Sequence, residues 1–300
     1  MSVTIGICAV TEVESTLQLV GQILTMHNPN LSVEQLIVAT PNQTLAKRLD
    51  SPDHRLTIVL EKKREGKASA LRKILRQATG DILVLASSDI KLGVHSIANL
   101  VNALATHETW GAVDSQVEVT NGESHLMDRV SILLWEVHNE TLDSLDAEER
   151  LGHIAGDLLA FKRDLVDEIP DVINDDAYLA LSILRKGFLV RRVKNALVWI
   201  TGPRNPADYV AQRSRILQGH LQTIQDLGVM PTTIEFTLVW NPLRNLRILR
   251  LVLSRLGVSY VPTLFTALFL ELVSFQTAIL RLTLRRKYGP WRVVESTKRV

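Results

Sequence analysis

Two patterns of apolar positions alternate along residues 1–230. Short apolar runs rich in β-branched side chains predict strands at 3–10, 33–40, 55–60, 81–86, 112–119, 154–161 and 188–199. Segments in which apolar residues recur every three or four positions predict helices at 12–25, 44–49, 67–77, 95–106, 127–139, 175–186 and 207–227. This alternation is typical of an α/β domain with a mostly parallel sheet. We therefore expect ligands beyond the carboxyl ends of its strands.

The pattern changes near the end of the chain. Arginines recur every three residues in 244–250, with Leu and Ile between them, which predicts a basic amphipathic helix with Trp240 near its start. The next stretch, 258–280, is about long enough to span a bilayer. Polar residues such as Glu271 interrupt it, and arginines flank both ends. We expect helices in the membrane interface; one transmembrane helix, or a buried helical pair or dimer surface, are the alternatives.

The formal net charge of +2 hides a division of charge along the chain. Residues 236–300 hold 11 basic and 2 acidic side chains and carry +9, so residues 1–235 carry −7. A basic, apolar segment after an acidic body favours an anionic membrane surface as partner. Nucleic acid is not expected, because Leu, Ile and Val separate the basic residues where a nucleic-acid surface would place stacking aromatic rings.

Composition narrows the class of protein. Hydrophobic residues make up 46% and charged residues 22% of the chain, which excludes a disordered or low-complexity protein. The single cysteine, Cys8, excludes an internal disulfide framework and fits a reducing compartment. The first residues lack the basic start of a secretory signal, so we expect the body on the cytoplasmic side of the cell membrane.

Four polar groups fall where a ligand crevice is expected: Gly66-Lys67, Ser87-Ser88-Asp89, Asp175-Asp176 and Gln212-Arg213-Ser214-Arg215. A helix start with a lysine suits phosphate, and a carboxylate after a strand suits Mg²⁺ or Mn²⁺. Adjacent carboxylates raise each other's pKa, which suits a general base, and arginines suit phosphate oxygens. Each group taken alone is also compatible with helix capping or an ordinary charged surface.

Taken in order, these groups resemble glycosyltransferase family 2. The resemblance covers about residues 1–225 and includes Arg64-x-Gly66-Lys67-Ala68, Gly80-Asp81, Ser87-Ser88-Asp89, the GDLLAFKR stretch at 156–163, Asp175-Asp176 and Gln212-x-x-Arg215. Trp135 with His138, Gly219-His220 and the end of the chain from Trp291 to Lys298 are similar to an archaeal-type, membrane-associated subgroup.

The resemblance implies a GT-A fold, Rossmann-like with a mostly parallel sheet flanked by helices, over 1–230, and a helical, membrane-associated tail over 231–300. It implies Asp176 as catalytic base, Asp175 as its support and Asp89 as ligand of Mg²⁺ or Mn²⁺. The nucleotide-sugar pocket would comprise Ala9, Val10, Thr11, Glu12, Thr40, Lys67, Ser87, Ser88 and Asp89. Contacts to the acceptor or diphosphate would come from Gly156, Asp157, Gln212, Arg213 and Arg215.

The implied activity is inverting transfer of a sugar from a UDP- or GDP-sugar to a hydroxyl of a lipid-linked or membrane-proximal acceptor. The sequence departs from the family pattern at several positions. Ser87 replaces the first Asp of the Asp-x-Asp metal motif, no carboxylate occurs in 39–44, and Ile216 replaces a Trp. A catalytically silent nucleotide-sugar-binding or scaffold protein is therefore an alternative. A nucleotidyltransferase is a weaker one, because 5–8 is not a glycine-rich phosphate loop.

Overall fold

The computed structural model describes residues 1–26, 28, 31–283 and 297. Eight strands form one sheet, in the order β3-β2-β1-β4-β7-β6-β8-β5. Their bounds are β1 Val3–Cys8, β2 Val33–Thr40, β3 Leu56–Leu60, β4 Ile82–Ser87, β5 Lys91–Leu92, β6 Trp110–Val119, β7 Leu158–Lys162 and β8 Leu189–Ile200.

The α-helices that accompany these strands are α1 Val13–Thr25, α2 Gln43–Arg48, α3 Lys67–Gln77, α4 Ser96–Thr106, α5 Leu126–Ala147, α6 Asp175–Arg185, α7 Pro206–Leu227, α8 Ile234–Trp240, α9 Pro242–Leu256 and α10 Val261–Thr283. Local sequence explains several of their ends. Asn42 caps α2 by accepting from two backbone N–H groups, and Asn205 caps α7 directly before Pro206.

The sheet is mixed. Parallel pairs join β1 to β2 and β4, β2 to β3, and β6 to β8. Strand β7 runs antiparallel to both β4 and β6, and the short β5 runs antiparallel to β8. The predicted α/β architecture is confirmed, with β7 as an antiparallel insertion in the middle of the sheet.

The core lies on both faces of the sheet. Helices α1, α2 and α4 pack on one face, and α3, α6 and the end of α5 pack on the other. A third apolar cluster joins the first half of α5 to α7, α9 and α10. The tail helices therefore pack against the α/β body instead of extending away from it.

Most predicted elements recur within a few residues, and α3 has the predicted bounds. Two predictions are wrong in detail. The strand predicted at 154–161 begins only at Leu158, because Gly156 has a φ of +78° that interrupts extended backbone. Helix α5 continues to Ala147, past its predicted end at residue 139.

The tail helix α10 has two contrasting faces. Its inner face buries the small or polar side chains Thr263, Ala267, Ser274 and Ala278 together with Leu270. Its outer face exposes Phe265, Leu268, Phe269, Leu272, Phe275, Ile279 and Leu280. Within the described residues, Val258–Thr283 is the one helical stretch whose length and mean hydropathy of 1.7 would suffice to cross a membrane. The predicted subgroup features at 291–296 and at 298 lie outside the described residues.

Candidate active site

Two connected cavities lie beyond the carboxyl ends of β1 and β4. The sheet-edge cavity, of about 250 Å³, is lined by Ala9, Val10, Glu12, Ser87, Ser88 and Asp89 among others. The helical cavity, of about 380 Å³, is lined by residues of α5, α6, α7 and α8, including Asp176. Both share Lys67, Ser87, Gly156, Asp157, Asp175, Gln212 and Arg215. The structure thus brings together all four polar groups singled out from the sequence.

Lys67 and Asp175 form an ion pair at the junction of the cavities. The lysine Nζ lies 2.9 Å from Asp175 Oδ2, and the Asp175 side chain is buried. Partial desolvation disfavours the charge on Lys67, but the carboxylates of Asp175 and Asp176 outweigh it and raise the pKa of the lysine. Lys67 therefore stays a full positive charge at the start of α3, where the helix dipole also favours an anion.

Asp176 is the carboxylate on the helical-cavity side of this junction. Its Oδ1 accepts from the backbone N–H of Ala177 at 2.6 Å. Burial and the neighbouring charge of Asp175 raise the pKa of Asp176 to about 7. A carboxyl group with this pKa can accept a proton from a hydroxyl near neutral pH and release it afterwards.

Gly156 lies directly against Asp176. Its φ of +78° is in the left-handed region, and a Cβ at this position would overlap the Asp176 carboxylate. Only glycine therefore allows the chain before β7 to approach the proposed base so closely.

Arg215 lies between the two cavities. Burial lowers the pKa of its guanidinium, and Asp175 and Asp176 counteract this effect. Its buried Nε has no hydrogen-bond partner among the described residues. A buried guanidinium with an unused donor, beside Lys67, can bind an anionic oxygen such as that of a phosphate.

Asp157 and Asp89 are two of the carboxylates that line the sheet-edge cavity. Burial and then the charge of Asp89 raise the pKa of Asp157 to about 8. Asp114, fully buried behind them, accepts from the backbone N–H of Ala155 at 3.0 Å and so supports the segment that leads to Asp157. Oxygen ligands of this kind suit a hard divalent cation.

Comparison with known proteins identifies the family. Residues 2–219 match the family model described as glycosyltransferase like family 2. The chain belongs to this glycosyltransferase family. Among curated proteins, none matches the chain.

Solved structures show that this family member has a GT-A fold. A mannosyltransferase from Pyrobaculum calidifontis, solved in complex with GDP-Man and Mn²⁺, superposes with a TM-score of 0.68 at 21% identity, over 95% of this chain and 88% of that one. A glucosyl-3-phosphoglycerate synthase from Mycobacterium tuberculosis, in complex with phosphoglyceric acid, gives 0.52 at 19% identity, over 76% and 80%.

Three residues predicted for the nucleotide-sugar pocket of this glycosyltransferase make hydrogen bonds within the protein. Thr11 and Thr40 line neither cavity; Thr40 is fully buried and its hydroxyl accepts from the Asn42 backbone N–H at 3.0 Å. Glu12 does line the sheet-edge cavity, but its carboxylate accepts from Val10 and Thr11 backbone N–H groups at 2.9 and 2.8 Å. Glu12 therefore shapes the turn after β1.

Arg213, predicted to contact the acceptor or the diphosphate, has carboxylate partners of its own. Although Arg213 lines the helical cavity, its guanidinium is paired with Glu235 of α8 and with Glu271 of α10, the latter at 2.7 Å. The hydroxyl of Tyr209 donates to the same Glu271 at 2.6 Å. Two carboxylates already balance the charge of Arg213, which favours Arg215 over Arg213 as the phosphate ligand.

Sequence reasoning assigned no role to the residues at the inner end of the helical cavity. His138, His153 and His220 stand edge to face, with ring centroids 5.5 and 5.3 Å apart, beside Trp135. Burial lowers the pKa of His138 to about 3 and that of His220 to about 4, and lowers the pKa of His153 as well. His138 and His220 were noted in the sequence only as subgroup features, and their meeting with His153 could not be predicted because the three come from α5, α7 and the segment before β7.

A further missed residue is Glu61, which follows β3 and lines the sheet-edge cavity. It pairs with Lys73 at 2.6 Å and is almost fully buried. Segment 39–44 has no carboxylate, and Glu61, directly after the neighbouring strand β3, places one beside this cavity.

Proposed function

We propose that this protein is an inverting, metal-dependent glycosyltransferase. It moves a sugar from a UDP- or GDP-sugar to a hydroxyl of a membrane-proximal, lipid-linked acceptor at the cytoplasmic face of the membrane. The observation that carries the proposal is Asp176, a carboxylate with a pKa of about 7 in the helical cavity beside its junction with the sheet-edge cavity, near the cationic side chains of Lys67 and Arg215. The mannosyltransferase with a similar fold, solved with GDP-Man and Mn²⁺, supports the choice of donor and metal.

The donor would occupy the sheet-edge cavity. Its diphosphate would lie against Lys67 and Arg215, the two cations that line both cavities. Asp89 fits a resident Mg²⁺ or Mn²⁺, because it presents carboxylate oxygens at the end of β4 beside this cavity. When bound, the cation would neutralise negative charge on the diphosphate leaving group.

The chemistry would be a single displacement. Asp176 accepts the proton of the acceptor hydroxyl as the hydroxyl oxygen attacks the anomeric carbon. The bond from that carbon to the diphosphate oxygen breaks, and the nucleoside diphosphate leaves with the bonding pair. Attack from the face opposite the leaving group inverts the anomeric configuration. Lys67 and Arg215 stabilise the charge that collects on the diphosphate.

The acceptor would occupy the helical cavity. Its inner end holds three uncharged imidazoles and Trp135, and neither ring nitrogen of His220 has a partner among the described residues. Neutral imidazoles both donate to and accept from hydroxyl groups, so this lining suits a hydroxyl-bearing head group better than an acyl chain. Helix α8 contributes Glu235 to the same cavity and ends at Trp240, which is 74% exposed. The acceptor side thus adjoins the apolar tail.

The donor assignment can be tested by thermal unfolding with GDP or UDP, each with and without Mn²⁺. A nucleotide at 100 times its Kd should stabilise the protein by about 2.7 kcal/mol. The part of this stabilisation that depends on Mn²⁺ should disappear in Asp89→Ala. The matched control is Asp167→Ala, at an exposed carboxylate that lines neither cavity.

Equal Mn²⁺-dependent stabilisation of Asp89→Ala and wild type would contradict the metal assignment. No stabilisation by either nucleotide would contradict the proposed donor class. Mn²⁺-dependent nucleotide binding without any release of sugar or transfer to acceptor would identify the catalytically silent alternative, to which the Ser87 substitution points.

Membrane binding is expected to depend on the outer face of α10. Phe265 and Phe269 are 68% and 64% exposed, and burying a Phe side chain in apolar surroundings contributes about 1.5–3 kcal/mol. Phe265→Ser combined with Phe269→Ser should therefore weaken co-sedimentation with phosphatidylcholine–phosphatidylglycerol vesicles at least about tenfold. The exposed Val94→Ser, on the α/β body, is the control. Unchanged sedimentation of the double variant would exclude this face as the membrane contact.

A further inference from the structure

The substitution at Ser87 has a structural counterpart on the neighbouring strand. Strands β4 and β7 pair in antiparallel register, with Ala86 opposite Leu158. One step further along the pair, the Ser87 backbone N–H donates to the Asp157 carbonyl at 2.8 Å. Asp157 is therefore the cross-strand neighbour of Ser87.

This register determines where the Asp157 side chain lies. Residues directly opposite in an antiparallel pair share one face of the sheet, with Cβ atoms about 4.5–5.5 Å apart. A carboxylate on residue 157 can thus reach the region that a carboxylate on residue 87 would occupy. Consistently, Ser87, Asp89 and Asp157 all line the sheet-edge cavity.

The Asp157 carboxylate is available for a ligand. No hydrogen bond or salt bridge joins it to another described residue, whereas Asp175, also at the junction, is paired with Lys67. The backbone around it is held on both sides. Asp114 accepts from Ala155, and β7 pairs with β4 from Leu158 onwards.

We propose that Asp157 supplies the carboxylate that the metal motif lacks at position 87 and, with Asp89, holds the divalent cation. This inference rests on the proposed function, which requires a cation at the donor diphosphate. It also replaces the sequence-based assignment of Asp157 to the acceptor or diphosphate. A carboxylate beside a diphosphate is repelled unless a cation lies between them, so direct contact is the less favourable arrangement.

The proposal can be tested by moving the carboxylate from position 157, before β7, to position 87 on β4. Mn²⁺ binding to the full-length protein, in the presence of GDP or UDP, can be followed by loss of the electron paramagnetic resonance signal of free Mn²⁺. Asp157→Asn should weaken Mn²⁺ binding at least about tenfold, since affinity for a hard cation follows the number of charged ligands. Adding Ser87→Asp to Asp157→Asn should restore Mn²⁺ affinity to within about threefold of wild type, because the pair again carries one carboxylate on that face.

Controls separate this inference from the proposed function. Asp167→Asn should bind Mn²⁺ as wild type does, and without metal neither Asp157→Asn nor Asp89→Ala should bind the nucleotide more weakly than wild type, since each removes a negative charge near the diphosphate. If Asp89→Ala abolishes Mn²⁺ binding while Asp157→Asn retains it, the role of Asp157 is refuted and the glycosyltransferase proposal stands. The role of Asp157 is also refuted if Asp157→Asn loses Mn²⁺ binding and the added Ser87→Asp does not restore it. If wild type binds no Mn²⁺ with either nucleotide, both proposals fail.

Discussion

Asp176→Asn is expected to lower the rate of sugar transfer by about 10²–10⁴-fold, because the amide cannot accept the acceptor proton in the transition state. Donor binding should change little, since Lys67 and Arg215 remain in place. Initial rates of nucleoside diphosphate release with acceptor present, together with calorimetric titration of GDP or UDP, measure the two effects separately. A variant with wild-type turnover would show that another group takes the proton.

The pH dependence provides a second readout of the same prediction. The base works when ionised, and burial and Asp175 raise the pKa of Asp176 to about 7. kcat/KM should therefore rise about tenfold per pH unit below that value and level off above it. Asp175→Asn removes the like charge, so the rising limb should move to lower pH; Asp167→Asn, at an exposed site, should leave the profile unchanged.

Arg213→Met is expected to reduce the free energy of unfolding by about 3–5 kcal/mol, the usual cost of removing one partner from a buried ion pair. Glu235 and Glu271 would both lose their cation, and the contact between α7 and α10 would lose its polar centre. Urea unfolding followed by circular dichroism measures the change. Arg76→Met makes the same substitution at an arginine that is 73% exposed and should fall within about 0.5 kcal/mol of wild type.

The sign of the pH effect distinguishes this ion pair from simple packing. In wild type, Arg213 is the main influence that opposes burial and holds the pKa of Glu235 below its ordinary value, so this stability is present above pH about 4.5 and is lost on acidification. Without Arg213, burial raises the pKa of Glu235. As the pH falls, protonation of Glu235 removes the cost of a buried, unpaired carboxylate in the variant. The gap in stability between wild type and variant should narrow below pH about 5. A constant gap would mean that Arg213 stabilises the fold through its aliphatic stem.

The local pattern of apolar residues predicted the helices and strands of this fold better than the way in which the strands pair in the sheet. Apolar periodicity and the Gly66 start located α3 with its observed bounds, because both signals lie within the helix itself. The antiparallel insertion of β7 was not predicted, since a strand's direction depends on partners far away in sequence. Strand β7 begins later than predicted, because the positive φ of Gly156 interrupts the extended backbone at 154–157.

The same distinction applies to the site. Residues at the ends of strands or starts of helices, such as Lys67, Asp89 and Asp175, were found from position alone because the sheet brings those ends together. The two carboxylates that pair with Arg213 could not be predicted, because they come from α8 and α10. For the same reason, the packing of the three histidines against one another could not be predicted.

The docked position of α10 has a practical consequence for making a water-soluble form of the protein. Cutting the chain after Glu235 would remove Glu271 from Arg213 and Tyr209, and Ala278 from Gln218 of α7. Such a shortened protein would lose part of its interior together with the outer face of α10 that is proposed to contact lipid. Solubility is better engineered by polar substitution of the outward Phe and Leu side chains, which leaves the inner face of α10 to complete the fold.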